Sequence, residues 1–398
     1  GCRSACGLAG ALWRDGVPFN WDRTESREAW TMSLPGLAGT EGNLRIPMTA
    51  LSHRHLKKHT TMDDIMTVLA WSFQQLAAGV FPACRHDGKP WMNEDKKRAA
   101  KAGKSIGISG LVVDVKGDWK FFKEAFRLPQ HNEKSGICWK CSATPDTWRQ
   151  CGLDASWRHE RLSHWDVIKR ILAKGDPVSP LFSIPFVTTS VIRIDWLHVA
   201  DQGVSANFLG SLFLMFLEKL PGQSQQEQLS ELFGMIKGFY SQAKCESRLQ
   251  DLTLNMLKKS GKTPKLRGRA ADVRALVPFA FATAQTLLAD SDNPMHATAQ
   301  AMAGHLNNCY GQLSPEGFDS EALAENCRKF CLLAVAMEGK EPVNWGVKSK
   351  LHLFRERCER SGYRPSRCWT DREEDSGGSL AKIAHRKGGP NTAKAVPT

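Results

Sequence analysis

Apolar and polar positions divide the chain into a strand-forming start, a helical middle and a mixed end. Residues 8–19 (LAGALWRDGVPF), 29–34 and 44–51 are apolar stretches separated by Gly- and Pro-rich turns, which predicts three consecutive strands in an antiparallel meander. A helix is predicted over 61–78, where Ile65, Leu69, Phe73 and Leu76 fall on one face, with Thr61 as N-cap and Asp63 and Asp64 in the first turn. Residues 79–107 are polar and end in a basic run over 96–104, expected to be a solvated loop. Residues 108–115 are short, apolar and rich in β-branched side chains, the pattern of a buried strand, which stops at Gly117-Asp118. A short amphipathic helix over 119–126, a helix around 165–173 and a further strand over 182–194 (FSIPFVTTSVIRI) are predicted next.

Beyond residue 202 the pattern changes. Helical spacing dominates to about 340, with clear helices over 206–220, 225–243 and 270–288 and a basic loop over 258–269 (KKSGKTPKLRGR) between them. The chain then returns to its earlier style at 348–358 (KSKLHLFRERC) and 369–378 (WTDREEDSGG), with a last helix through Ala384. The expected organisation is therefore a core over 1–204, an all-α insertion over 205–342, a return to the core over 343–388 and a disordered basic tail over 389–398. The fold class is α/β (α+β). The element order matches an RNase H-like mixed sheet interrupted by a large all-α insertion before its last catalytic helix.

Composition narrows the function. The 398 residues carry 54 Lys and Arg against 41 Asp and Glu, a net charge of +13, which favours a polyanionic partner. No run of 18 uncharged apolar residues exists and no signal-peptide pattern opens the chain, so no membrane partner is expected. The first residue is Gly rather than Met, so the chain is expected to be a piece of something longer. Twelve Cys without a regular framework point to reduced thiols and one metal site. The spacing of Cys138 and Cys141 lets both thiolates reach one zinc, although two reduced thiols without metal fit the same pattern.

In a fold of this order, an acid on the first strand and one just past the fourth strand point into one crevice, and the last helix can add a third. Asp15, Asp118 and Glu374 fit these places. Asp114 rivals Asp118, Glu373 rivals Glu374, the Asp15-Gly16 pair also reads as a turn, and the cluster through Asp375 also suits a helix N-terminus. Carboxylates this close need divalent cations between them, and hard oxygen donors suit Mg²⁺ or Mn²⁺. Two such ions would serve in-line attack on a phosphodiester.

Several stretches in order resemble one family. Gly117-Asp118 with HNEKSGICWKC downstream, Asp195-Trp-Leu-His198 followed by Gly203, and KLHLF at 350–354 ahead of the acidic segment 374–378 are similar to motifs of the CACTA-type DDE/D transposases. Their relatives in the RNase H-like superfamily include the catalytic subunit of the V(D)J recombinase. The resemblance spans about residues 12–389 and is weakest over 205–340. It implies Mg²⁺-dependent DNA strand cleavage and strand transfer at the ends of a mobile element, in the nucleus, by a homo-oligomer on DNA ends with no small-molecule substrate. Asp15, Asp118 and Glu374 take the catalytic places, and Asp195 and His198 stand beside them, though a satisfied core histidine is the plainer reading of His198. In the recombinase relative the Cys pair shares a zinc with two His, which carries over as Cys138, Cys141 and His352. No second His follows within a turn or two, so Cys358, in preference to Glu356, is expected as the fourth ligand. DNA phosphates are expected at Lys96, Lys97, Arg98, Lys258, Lys259, Lys265, Arg267 and Arg269. The competing expectation is an inactive, domesticated or decayed descendant that keeps the zinc and binds DNA.

Overall fold

The computed structural model describes residues 6–18, 26–35, 43–57, 60–289, 291–360 and 362–371. Glu373, Glu374, Asp375 and the tail over 389–398 lie outside the described residues.

The three predicted strands form as β1 (Cys6–Pro18), β2 (Ser26–Pro35) and β3 (Asn43–Ser52). They pair antiparallel, β1 with β2 and β2 with β3. Helix α1 (Thr60–Ala78) follows and buries Met62, Met66, Leu69, Ala70 and Phe73. The polar stretch after it holds only a 3₁₀ turn (Asn93–Asp95) and the four-residue α2 (Lys96–Ala99). β4 (Ile108–Gly117) then lies parallel to β1, giving the sheet order β3-β2-β1-β4. The inner strand β1 shows why its run is almost wholly apolar: consecutive residues Ala11, Leu12, Trp13 and Arg14 are all buried, so both faces are covered. Edge strand β3 carries Pro47, which lacks an N–H for the ladder, beside a register shift at Trp30/Thr31 of its partner.

Asp118 ends β4 and caps α3 (Trp119–Phe126): its Oδ1 accepts from the Phe121 amide at 2.6 Å. The apolar face of α3 buries Phe121, Phe122, Ala125 and Phe126, with Phe121 edge-on to Trp30 of β2 and Phe122 edge-on to Trp139. α4 (His164–Ala173) starts at a reciprocal capping box between Ser163 and Asp166.

The strand expected over 182–194 does not form. A 3₁₀ turn (Pro180–Ser183) leads into Pro185 and a left-handed Phe186 at φ 66°, and Thr188 and Ser190 bond to each other through their hydroxyls. Only Ile192 joins the sheet, in a parallel bridge to Val115 on the outer side of β4. Pro and hydroxyl competition thus override the β-branched composition.

A π-helix (Leu197–Ser205) runs straight into α5 (Ala206–Leu217). The helices α6 (Gln225–Gln242), α7 (Leu254–Leu257), α8 (Ala270–Leu287), α9 (Pro294–Gly311) and α10 (Ser320–Met337) follow. No strand occurs among the described residues of this block, and its apolar interior is continuous with that of the sheet layer. α11 (Lys350–Arg360) closes the fold against α10 and the π-helix. Every residue from Leu351 to Cys358 in α11 is buried, although four of the eight are charged or His.

Close backbone approach fixes one junction. A Cβ on Gly210 of α5 would lie 2.5 Å from the Lys265 amide nitrogen and 2.6 Å from its Cα. Gly210→Ala is therefore expected to cost about 1–3 kcal/mol by overpacking, measured by denaturant unfolding, whereas Gly234→Ala, with open space around it, is expected to leave stability unchanged or raise it.

Candidate functional site

Cys138 and Cys141 sit in a tight loop held by its own backbone. The Lys140 amide donates to Cys138 Sγ at 3.3 Å, Ile137 donates to the Ala143 carbonyl, and Cys141 bridges to Arg161. α11 carries His352 to this loop, with Nε2 3.3 Å from Cys141 Sγ. The three donor atoms lie within 4.8 Å of one another, and all three residues are buried. Burial alone would raise the Cys138 thiol, but hydrogen bonds from Cys141 and His352 outweigh it and bring it down to about 5. Cys141, acting as that donor and itself buried, is pushed up. Two soft thiols and an imidazole converging in a dry site suit zinc. The Cys138–Cys141–His352 group could hold such a metal.

Cys358 is not brought into this group. Six residues beyond His352 it points about 240° around the helix, and it lies against Cys327 of α10. There it joins a separate buried run of thiols in which Cys327 and Cys331 are 4.0 Å apart. Glu356, one turn from His352, does face the group and influences both of its thiols. Both Glu356 oxygens are engaged by Arg161, at 2.7 and 2.9 Å. A four-coordinate zinc would complete its shell with water or with Glu356 drawn from Arg161.

The acids fall as follows. Asp15 lies in β1 directly after Arg14, whose parallel partner is Gly117, so Asp15 and Asp118 follow the same pair on neighbouring strands. Asp118 is partly exposed, and only its Oδ1 has a partner among the described residues. Asp114 is committed elsewhere, in an ion pair with Arg193. The Lys350 ammonium feels the fields of both Asp118 and Asp195. Among the described residues no group of carboxylates has metal-ligand spacing.

Asp195 is buried and fully used. Its Oδ2 accepts from His198 Nδ1 at 2.6 Å, the His198 amide at 3.0 Å and Thr370 Oγ1 at 3.0 Å, and its Oδ1 accepts from the Thr370 amide at 2.9 Å. Burial raises its carboxyl, but the His198 and Thr370 bonds outweigh that and hold it below the ordinary value. Asp195 and His198 line a narrow pocket with Gly117, Trp119 and Lys350, so the Asp-x-x-His segment and the end of β4 meet.

A second junction had no sequence signal beyond its residue types. Arg274 of α8 reaches Asp201 Oδ2 at 2.6 Å and pairs with both oxygens of Asp371, while Tyr310 donates to Asp201 Oδ1 at 2.6 Å. Burial pushes the Asp201 carboxyl up to about 7 against the pull of Arg274.

The basic residues separate. Lys96, Lys97 and Arg98 are exposed on α2, Lys258 and Lys259 line a depression beside α5 and α6, and Arg269 is spent on Asp272. Arg267 holds the Asn255 carbonyl. Lys265 alone of the eight opens onto the broad cleft that borders Trp119, and there Lys348 and Lys350 join it. All ten described Cys are free, and no described helix is long and apolar enough to cross a membrane. No protein-family model matches the chain, and no curated protein matches it significantly.

Two outcomes are expected. Zinc added to chelator-stripped protein should bind in equimolar amount by elemental analysis, be lost in Cys141→Ser and His352→Ala, and be retained in Cys358→Ser. Asp195→Asn should cost about 1–3 kcal/mol near pH 7 by leaving buried donors poorly paired. Because the folded carboxyl titrates below its unfolded counterpart, that contribution is present above about pH 4 and fades as the pH falls through the folded value. Paired unfolding curves should therefore converge in acid.

Proposed function

We propose that the chain is the core of a DDE/D-type polynucleotidyl transferase with an RNase H-like sheet, cleaving and joining DNA strands at element ends. One observation supports the reading: the parallel register of β1 and β4 ends at the Arg14–Gly117 pair, and Asp15 and Asp118 are the residues that directly follow it, at the carboxyl end of β4. Strands in such a sheet stand about 4.8 Å apart, a separation two carboxylates can share through cations. The order β3-β2-β1-β4, with the parallel bridge at Ile192 extending it past β4, supports the fold assignment. Functional groups gather at carboxyl strand ends in sheets of this kind.

In this reading Asp15, Asp118 and Glu374 hold Mg²⁺ or Mn²⁺. Those ions would supply Lewis-acid stabilisation of the leaving oxygen and a more acidic nucleophilic water or hydroxyl. The chain's own contribution is positional. Asp118 is oriented by capping α3 through Oδ1, which leaves Oδ2 without a hydrogen-bond partner among the described residues. Asp195 fixes the segment at Thr370, four residues ahead of Glu374. The Cys138–Cys141–His352 group ties the loop after α3 to α11, so a zinc there would be structural.

A second reading, a catalytically silent DNA-binding descendant, is favoured by Lys350, whose ammonium offers Asp118 a countercharge without any metal. A supercoiled-plasmid nicking assay separates the two. The enzyme reading expects Mg²⁺- or Mn²⁺-dependent nicking that Asp15→Ala and Asp118→Ala abolish with DNA binding retained and that Asp114→Asn leaves measurable. Nicking absent in every metal, with binding intact, rejects it in favour of the second reading.

A further inference from the structure

From the cleft beside Asp118 we infer a binding track for the phosphodiester backbone of a nucleic-acid strand, with Lys265, Lys348 and Lys350 as its phosphate-contacting wall. The inference deepens the proposed function but needs only its nucleic-acid partner, not its chemistry.

The wall is built rather than accidental. The Lys265 backbone is pinned by two hydrogen bonds, its own amide to the Leu257 carbonyl and the Leu266 amide to the Ala206 carbonyl, each 2.7 Å. It lies against Gly210, where any side chain would intrude. The stem of Lys350 crosses Gly203 in the same way: a Cβ there would sit 3.0 Å from Lys350 Cδ. Its ammonium donates to the His198 carbonyl at 2.9 Å. Two glycines thus admit two lysines to the lining of one cleft, which Lys348, just ahead of α11, also joins.

These cations crowd one another. Burial, joined by the fields of Lys350, Lys348 and Arg267, lowers the Lys265 ammonium to about 8. Among the described residues neither Lys265 nor Lys348 has a carboxylate partner. Lys134, also without one, lines the same cleft, and the lining holds a single carboxylate, Asp146. Like charges held together in a partly dry site are costly unless an anion completes them. A strand of phosphates supplies repeated anions along an open cleft, and Trp119 offers a flat apolar surface for a base. Trp119 and Lys350 border both this cleft and the narrow pocket at Gly117 and Asp195, so a strand in the track runs to the end of β4.

The test is fluorescence anisotropy of labelled single- and double-stranded oligonucleotides across a salt series. Lys265→Gln/Lys348→Gln should weaken binding roughly tenfold and lower the slope of log affinity against log salt by about 2, as expected for two lost phosphate contacts. Lys169→Gln/Lys237→Gln removes the same charge from exposed positions outside the cleft and should change affinity less than twofold. Since Lys265 is partly buried, Lys134→Gln/Lys348→Gln, at two exposed positions, serves as a second variant that should act in the same direction. Equal losses in cleft and control variants, no binding by the wild type, or tighter binding of polyglutamate than of DNA would each overturn the inference. Cleft-specific loss in a protein that never nicks DNA would uphold it while rejecting the catalytic reading.

Discussion

The fold rests on a helix that ought to be unstable where it is. α11 is buried along nearly its whole length, yet it carries His352, Arg355, Glu356 and Arg357 into the interior. Charges can stay there only if each is met by a partner. Glu356 takes Arg161; Arg355 takes Glu359 together with the Gln150 and Gly152 carbonyls; Arg357 lies over the Tyr363 ring and donates to the Arg364 carbonyl. These demands reach into the segment 150–161, into 363–364 and, through His352, into the Cys loop. The polar neutralisation of one helix therefore specifies where three loops must lie.

The sheet was readable because its signals are local and mutually consistent. Turn residues separate three apolar stretches, and a doubly covered inner strand has to be apolar at consecutive positions, as Ala11, Leu12 and Trp13 are. The segment over 182–194 misled for the opposite reason. Its Val, Ile and Thr content suits a strand, but Pro185 and the paired hydroxyls of Thr188 and Ser190 turn the backbone, and only Ile192 pairs. α11 was legible as a segment but not as a buried one, since the neutralising partners are up to 205 residues away in sequence.

At the site, spacing conveyed what lies on one short loop and failed where helical phase decides. The Cys138 and Cys141 pair is local, and His352 joins it. Choosing Cys358 over Glu356 ranked ligand chemistry above rotation: a thiol six residues on is on the far side of the helix, while a carboxylate four residues on is not. The lysine wall was only a third visible. Lys265 stands in an obvious basic run, whereas Lys348 and Lys350 look like scattered surface charges until Gly210 admits the Lys265 backbone and Gly203 the Lys350 side chain.

Arg274 has a mechanical consequence. One guanidinium grips Asp201 at the start of the helical array and Asp371 at the far end of the described chain, with the Trp369 ring stacked beneath it. The helical array and the strip that leads toward Glu374 therefore share a rivet that bypasses the sheet. A load placed on α8 by anything docking on the array is felt at Asp371 as directly as at Asp201, and the two ends of the rivet cannot move independently.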